Sequence, residues 1–323
     1  MKRKLTVACE SNDVAASAVP ADSGDRFDAL YAAAGLQRGR SRRVASGLLR
    51  WIVYAGAALT AAVLALLVGY ILVNGVPYLT PSLFTWEYTS DNVSLTPALV
   101  NTLLMAGISL AMAVPVGVGS AIYLVEYAPR GSRFVRVVRT TTETLQGIPS
   151  IIYGLFGMLF FVTALKWGLS LMAGACTLAI MVLPVVMRTT EEALLAVPDA
   201  YREGGFGLGA GRLRTVFRCV LPSAVPGILG GVILALGRCT GEVAALVFTA
   251  GSIAQIPNFV GDGAMAVFDS ARTLAVHMYV LASEGLHVNE TYATAVVLLA
   301  LVVLLNLSAT FAAKKMSKGA NHD

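Results

Sequence analysis

Six stretches of this chain are long and apolar enough to cross a lipid bilayer, and nothing else in it constrains the fold as tightly. A bilayer core takes about 20 apolar residues in a helix that rises about 1.5 Å per residue. The stretches are 51–73, 95–125, 148–165, 167–187, 226–250 and 291–313. Backbone amides have no water to bond inside lipid, so each stretch must satisfy its own, and a helix does so. The sequence predicts an all-α membrane protein of six transmembrane helices. Composition points the same way: 56% of the 323 residues are hydrophobic and 13% charged, where a soluble domain carries roughly 25% charge. The third and fourth stretches are parted only by Lys166-Trp167-Gly168.

Orientation follows from the basic residues. Nine Lys and Arg precede Trp51, and Arg130, Arg133, Arg136 and Arg139 follow the second stretch. Arg188, Arg202, Arg212, Arg214 and Arg218 lie between the fourth and fifth, and Lys314, Lys315 and Lys318 close the chain. With six spans all of these, 21 of 24, share one side; only Lys166, Arg238 and Arg272 do not. The positive-inside rule places that side, with both termini, in the cytoplasm. Residues 1–47 are polar, with no apolar run of signal-peptide length, and are expected to form a cytoplasmic tail, disordered in part. Residues 48–94 hold the first helix and an outer loop, 95–313 the five remaining helices, and 314–323 a short cytoplasmic tail. The four cysteines have no metal-type or paired spacing and read as packing residues. No metal site and no catalytic residue is expected.

The outer segment 251–290 contains a further possible helix, capped by Asp269 or Ser270 and ended by Gly285. Its apolar part, Leu274 to Leu281, is too short to span, and fits either a helix lying in the interface or a docking surface for an outside partner.

Two stretches carry candidate chemistry. In the basic segment 188–222, Leu213, Val216, Phe217 and Val220 recur at i, i+3, i+4 and i+7, which is one helix face. Arg214 and Arg218 lie on another. Such a stripe needs the bilayer surface, its own neighbours or a partner to cover it. In the fifth stretch, a helix starting near Pro226 would bring Arg238 about 18 Å in, close to the bilayer midplane. A charge at that depth costs several kcal/mol (about 3 on insertion scales) unless it is paired or wet. Glu242 follows at i+4, where it could neutralise the arginine. A guanidinium presents a planar fork of donors suited to a tetrahedral oxyanion; a structural pair that pins helix register is the other reading. Gly227/Gly231 and Gly237/Gly241 give two G-x-x-x-G spacings that allow close helix approach. At the entry of the third stretch, Gly147, Pro149, Ser150 and Tyr153 either mark a helix end or open backbone amides to an anion.

Glu203-Gly204-Gly205, with Gly209 four residues on and then Cys219-Val220-Leu221-Pro222, resembles the E-A-A-x-x-x-G-x9-I-x-L-P loop of bacterial ABC importer permeases. Glycines replace the usual Ala-Ala, and Cys219 the usual Ile. Asn101-Thr102-Leu103, the run Thr142 to Gly154, Leu183-Pro184, Arg188 to Leu194 and Gly237-Arg238-Cys239-Thr240-Gly241-Glu242 are similar to the phosphate-specific permeases, most of all the PstA type. The resemblance covers about 95–313. It implies an ABC importer type I permease bundle in the bacterial inner membrane. It implies that Glu203, Gly204, Gly205, Gly209, Leu213, Phe217, Leu221 and Pro222 couple to an ATPase, with Arg238 and Glu242 on the substrate path. The partners implied are a second permease of the PstC type, a PstB-type ATPase dimer holding ATP and Mg, a PstS-type phosphate-binding protein and membrane lipid, without nucleic acid. This chain, lacking a P-loop, is not expected to bind a cofactor or be an enzyme. Phosphonate, sulfate or molybdate are the alternative solutes, and a non-transporting scaffold the alternative role.

Overall fold

The computed structural model describes residues 49–129, 131–259, 261 and 263–320; the expected tail over 1–47 lies outside them. All regular structure among the described residues is helical. Helix α1 runs Leu49–Tyr78, α2 Thr96–Tyr127, α3 Arg133–Gln146, α4 Ser150–Ala164, α5 Leu171–Leu195 and α6 Asp199–Gly207. Then come α7 Arg212–Gly241, α8 Ala244–Thr249, α9 Leu274–Glu284 and α10 Val288–Ala320. Five of these, α1, α2, α5, α7 and α10, are long and apolar enough to span, and α3 with α4, bent by 101°, makes a sixth candidate.

The chain divides into a unit ending at Gly69 and one beginning at Tyr70. In the first, residues 49–67 are exposed throughout, an apolar surface that only lipid or another chain can cover. In the second, α2 and α5 pack along each other most extensively. Met105, Ala106 and Ala113 of α2 meet Leu178, Val182 and Val186 of α5, and Ala235, Leu246 and Val276 close the cluster. Lipid is as apolar as these side chains, so packing rather than water release holds such helices together. Glycine supplies the fit. A Cβ added at Gly231 would stand 1.9 Å from Thr189 Oγ1, and one at Gly227 2.6 Å from Ala193 Cβ. The first G-x-x-x-G pair is thus where α7 crosses α5.

Several element ends differ from those read in the sequence. The third and fourth spans do part at Lys166 and Gly168, both at positive φ (57° and 69°), and Ser170 caps α5 by accepting the Ala173 amide at 3.2 Å. But α5 then runs on to Leu195, so 188–195 is helix and not loop. The fifth span begins at Arg212 and ends at Gly241 instead of running 226–250. Pro222 does not start it. The turn before it, Val216–Val220, is a π-helix, with the Leu221 amide reaching Val216 O. A proline cannot donate and crowds the carbonyl four residues back; the wider turn relieves both.

The outer helix α9 ends at Gly285, φ 70°, as its sequence indicates, but its cap is Thr273, whose Oγ1 accepts the Val276 amide. Asp269 and Ser270 instead lie in the irregular segment before it, where Leu171 N donates to Asp269 O and Ser270 Oγ to Ala250 O. The apolar side of α9 is turned into the bundle. Leu274, with Leu95 and Ala293, and Val276, with Met105, are fully buried in two clusters, and Leu281 is 1% exposed.

Candidate functional site

The segment read in the sequence as a coupling element is built on a helical hairpin. Pro198, with extended ψ 140°, opens α6, and Gly209 at φ 80° ends it, in the left-handed region that a side chain rarely occupies. Between them Arg202 turns inward. Its Nη2 donates to Glu126 Oε1 at 2.7 Å and to Leu194 O at 2.9 Å, while Nη1 reaches Val197 O at 2.9 Å. Asp199 adds an ion pair at 3.1 Å. The Glu126 hydrogen bonds come first in holding this guanidinium protonated above its ordinary range. One half-buried residue ties α6 to the end of α2 and the end of α5.

Its neighbour Glu203 points the other way and is exposed, as are Gly204 and Gly209. Gly205 is buried; a Cβ there would stand 2.7 Å from Thr215 Cγ2, so α6 and α7 touch at this glycine. The apolar stripe read from 213–220 is divided. Val216 and Val220 are buried with Ile122, Leu194, Val197 and Ile228, whereas Leu213 and Phe217 are 65% and 52% exposed. The π-turn causes this, because it shifts the 3.6-residue phase halfway along the stripe. Tyr201, Phe206 and Leu208 are exposed beside them, Leu208 at 91%. Leu221 and Pro222 are half-buried.

The second candidate lies at the other end of α7. Arg238 occupies its last turn, where the helix carbonyls favour a cation. Glu242 is not one turn further along the same face. The helix stops at Gly241, Glu242 has extended backbone (φ −77°, ψ 129°), and its Oε1 accepts the Ala245 amide at 3.3 Å as α8 begins. The expected Arg238–Glu242 pair is therefore absent among the described residues: no ion pair of Arg238 falls within 4.0 Å. Arg238 is half-buried and lines an open groove of about 610 Å³ with Gly230, Ile233, Leu234, Gly237 and Asn306. Asn306 comes from α10, and a Cβ on Gly237 would stand 3.7 Å from its Oδ1. The second G-x-x-x-G pair is thus divided: Gly237 adjoins α10 through Asn306, while Gly241 has nothing within 4 Å of its added Cβ among the described residues. Discontinuous helices of this kind form the solute sites of many membrane transporters.

At the entry of α4 the structure favours the helix-end reading. Gly147 ends α3, Pro149 caps α4, and Tyr153 Oη donates to Leu145 O across the bend at 2.8 Å. Glu126 and Asn306 were not singled out in the sequence. Asn306 had a signal, an amide within the last apolar run; Glu126 had a weaker one, a carboxylate closing the second.

Comparison with known proteins agrees with this architecture. The "Probable ABC transporter permease protein YqgI" of Bacillus subtilis (strain 168) is 37% identical over 238 residues, 71% of this chain and 81% of that protein. The "Phosphate transport system permease protein PstA 1" of Mycobacterium tuberculosis (strain ATCC 25618 / H37Rv) is 35% identical over 212 residues, 66% of this chain and 67% of that one. A bacterial alginate ABC transporter, solved with a pentasaccharide-bound periplasmic protein, shares the fold. It has a TM-score of 0.60 at 17% identity, over 83% of this chain and 96% of the other. Residues 113–321 match the binding-protein-dependent transport system inner membrane component family, and the chain belongs to that family.

Proposed function

We propose that this chain is one of two permease subunits of an ATP-driven importer of inorganic phosphate in the bacterial inner membrane. The observation that carries the reading is Arg238, without an ion-pair partner, at the broken end of α7. Relatives named as phosphate transport permeases support the choice of solute. Arg238 supplies the charge on the path, and Asn306 an amide beside it. Glu242 acts on the path by holding the break between α7 and α8, not by neutralising the arginine. A binding protein delivers phosphate at the outer loops. Two separate ATPase subunits bind ATP and Mg²⁺, and receive Glu203, Leu213 and Phe217 at the exposed side of the hairpin. Closure of those subunits moves α6, and the Arg202–Glu126 link carries the movement into α2, so that the bundle alternates its opening.

The test is uptake of labelled phosphate in cells that lack their own phosphate permease, with the partner subunits supplied. Wild type restores uptake; Arg238→Ala, present at the same membrane level, lowers it at least tenfold, and Arg238→Lys recovers little because it loses the planar fork. Full uptake by Arg238→Ala would overturn the site. Restoration of sulfate but not phosphate uptake would overturn the solute.

A further inference from the structure

Helix α3 presents a different chemistry on each side. Its inward side is fixed to α5. Arg139 pairs with the buried Glu191, Arg188 reaches Glu143 at 3.0 Å, and Gln146 Nε2 donates to Pro184 O at 2.9 Å. Its outward flank is apolar: Phe134 and Val137, one turn apart, are 60% and 63% exposed. Between these two sides stand Arg133 and Arg136, exposed and with no ion pair among the described residues. The one carboxylate on the helix, Glu143, is taken by Arg188. Phe134 also forms the edge of an open apolar groove of about 500 Å³, lined by Gly119 and Tyr123 of α2, Val138 of α3 and Met187 of α5.

Direction matters as much as composition. The bend of 101° sets α3 nearly perpendicular to α4. If α4 crosses the bilayer, α3 lies in the plane of its surface, on the side of the coupling segment. An interfacial helix buries its apolar flank among acyl chains and keeps basic residues at the headgroups. Long basic side chains reach that level while their stems stay in apolar surroundings. Each is drawn to an anionic surface.

We propose that α3 and this groove bind an anionic phospholipid, with an acyl chain along Tyr123, Phe134 and Met187 and the phosphodiester on Arg133 and Arg136. Arg133 precedes Phe134, the edge of the groove, in the chain, and Arg136 stands one turn from Arg133 on the same helix: their charge calls for an anion, and the groove for a chain attached to it. The site rests on the membrane placement of α4 and is independent of which solute the transporter carries.

The test places a benzophenone amino acid at Val137 in the assembled transporter, in vesicles of equal parts phosphatidylcholine and phosphatidylglycerol, and identifies the photoadduct by mass spectrometry. The expected adduct is lipid, with phosphatidylglycerol several-fold over its share of the bilayer. Arg133→Gln with Arg136→Gln abolishes that excess while lipid adducts persist. Adducts at the bulk lipid ratio would overturn the proposal, and so would a crosslink to an ATPase or to the second permease. The unmutated arginines decide by themselves if the double variant does not assemble.

Discussion

His277 shows what one residue does in this fold. It is fully buried, and Arg272 Nη1 stands 3.3 Å from its Nδ1. A guanidinium only donates, so Nδ1 must accept and the ring must be neutral, with its proton on Nε2. Arg272 also donates to Ser252 O at 2.6 Å and lies 5.4 Å from the centre of the Tyr88 ring, so three outer segments meet on it. Burial first, and then the arginine, push the His277 pKa down to about 4. The unfolded ring titrates near 6.5, so the unfolded state binds more protons between these values. The neutral ring's contribution is complete above about pH 6.5 and is lost as pH falls towards 4, about 3 kcal/mol across the window. Thermal unfolding of the transporter over that range should show the loss, and His277→Gln, which still offers an acceptor, should flatten it. An equally steep profile in the variant would assign the loss elsewhere. At the inner end, Glu126→Ala strands Arg202 without its buried carboxylate, and should cost about 3 kcal/mol, read as a lower unfolding temperature of the purified complex. None of this was legible in the sequence, because Glu126 and Arg202 stand 76 positions apart and no local pattern announces such a pair. Arg238 was legible for the opposite reason: a charge in an apolar run is conspicuous by itself.

At the scale of elements, hydropathy located the spans and mislocated their ends. Hydropathy records which residues tolerate lipid, not where a helix stops. Leu246 and Phe248 read as a continuation of α7, although Glu242 has turned the chain between them. The coupling hairpin shows the same limit. Two adjacent glycines look alike in sequence, and each should loosen a helix by roughly 1 kcal/mol. The structure separates them. Gly204 has nothing within 4 Å of an added Cβ, while Gly205 would meet Thr215 at 2.7 Å. Gly204→Ala should therefore raise the stability of the complex by up to about 1 kcal/mol and leave uptake intact. Gly205→Ala should push α6 off α7 and lower uptake. Thr215→Ala should rescue it, since it removes the two nearest atoms and leaves only Thr215 Cβ at 3.3 Å. Thr215 Oγ1 is buried without a partner among the described residues, so its loss costs little. Equal behaviour of the two glycine variants, or no rescue, would count against this contact.

For the whole molecule, function turns on which end of the bundle faces the cytoplasm. The charge distribution supplies the physical argument. The anionic inner surface retains lysines and arginines during insertion, and Arg133, Arg136, Arg139, Arg188, Arg202, Arg212, Arg214 and Arg218 all fall in α3, in α6 or at the helix ends beside them. Of the two outer exceptions, Lys166 is exposed, whereas Arg272 is only 8% exposed and bonded to carbonyl and imidazole, so it adds little free charge there. Two exposed positions make the orientation measurable. Leu208 ends the coupling helix at 91% exposure, and Leu286 follows α9 at 80%. In a cysteine-free background, Leu286→Cys should react with a membrane-impermeant maleimide in intact cells stripped of their outer membrane. Leu208→Cys should react only after the inner membrane is opened. The reverse pattern would invert the bundle, and the exposed face of α6 could then not meet an ATPase. Labelling of both in intact cells would show that the two ends are not on opposite sides, and the reading of six crossings would fail with it. Protection of Leu208→Cys by the assembled ATPase subunits, and not by their absence, would join the orientation to the coupling role in one experiment.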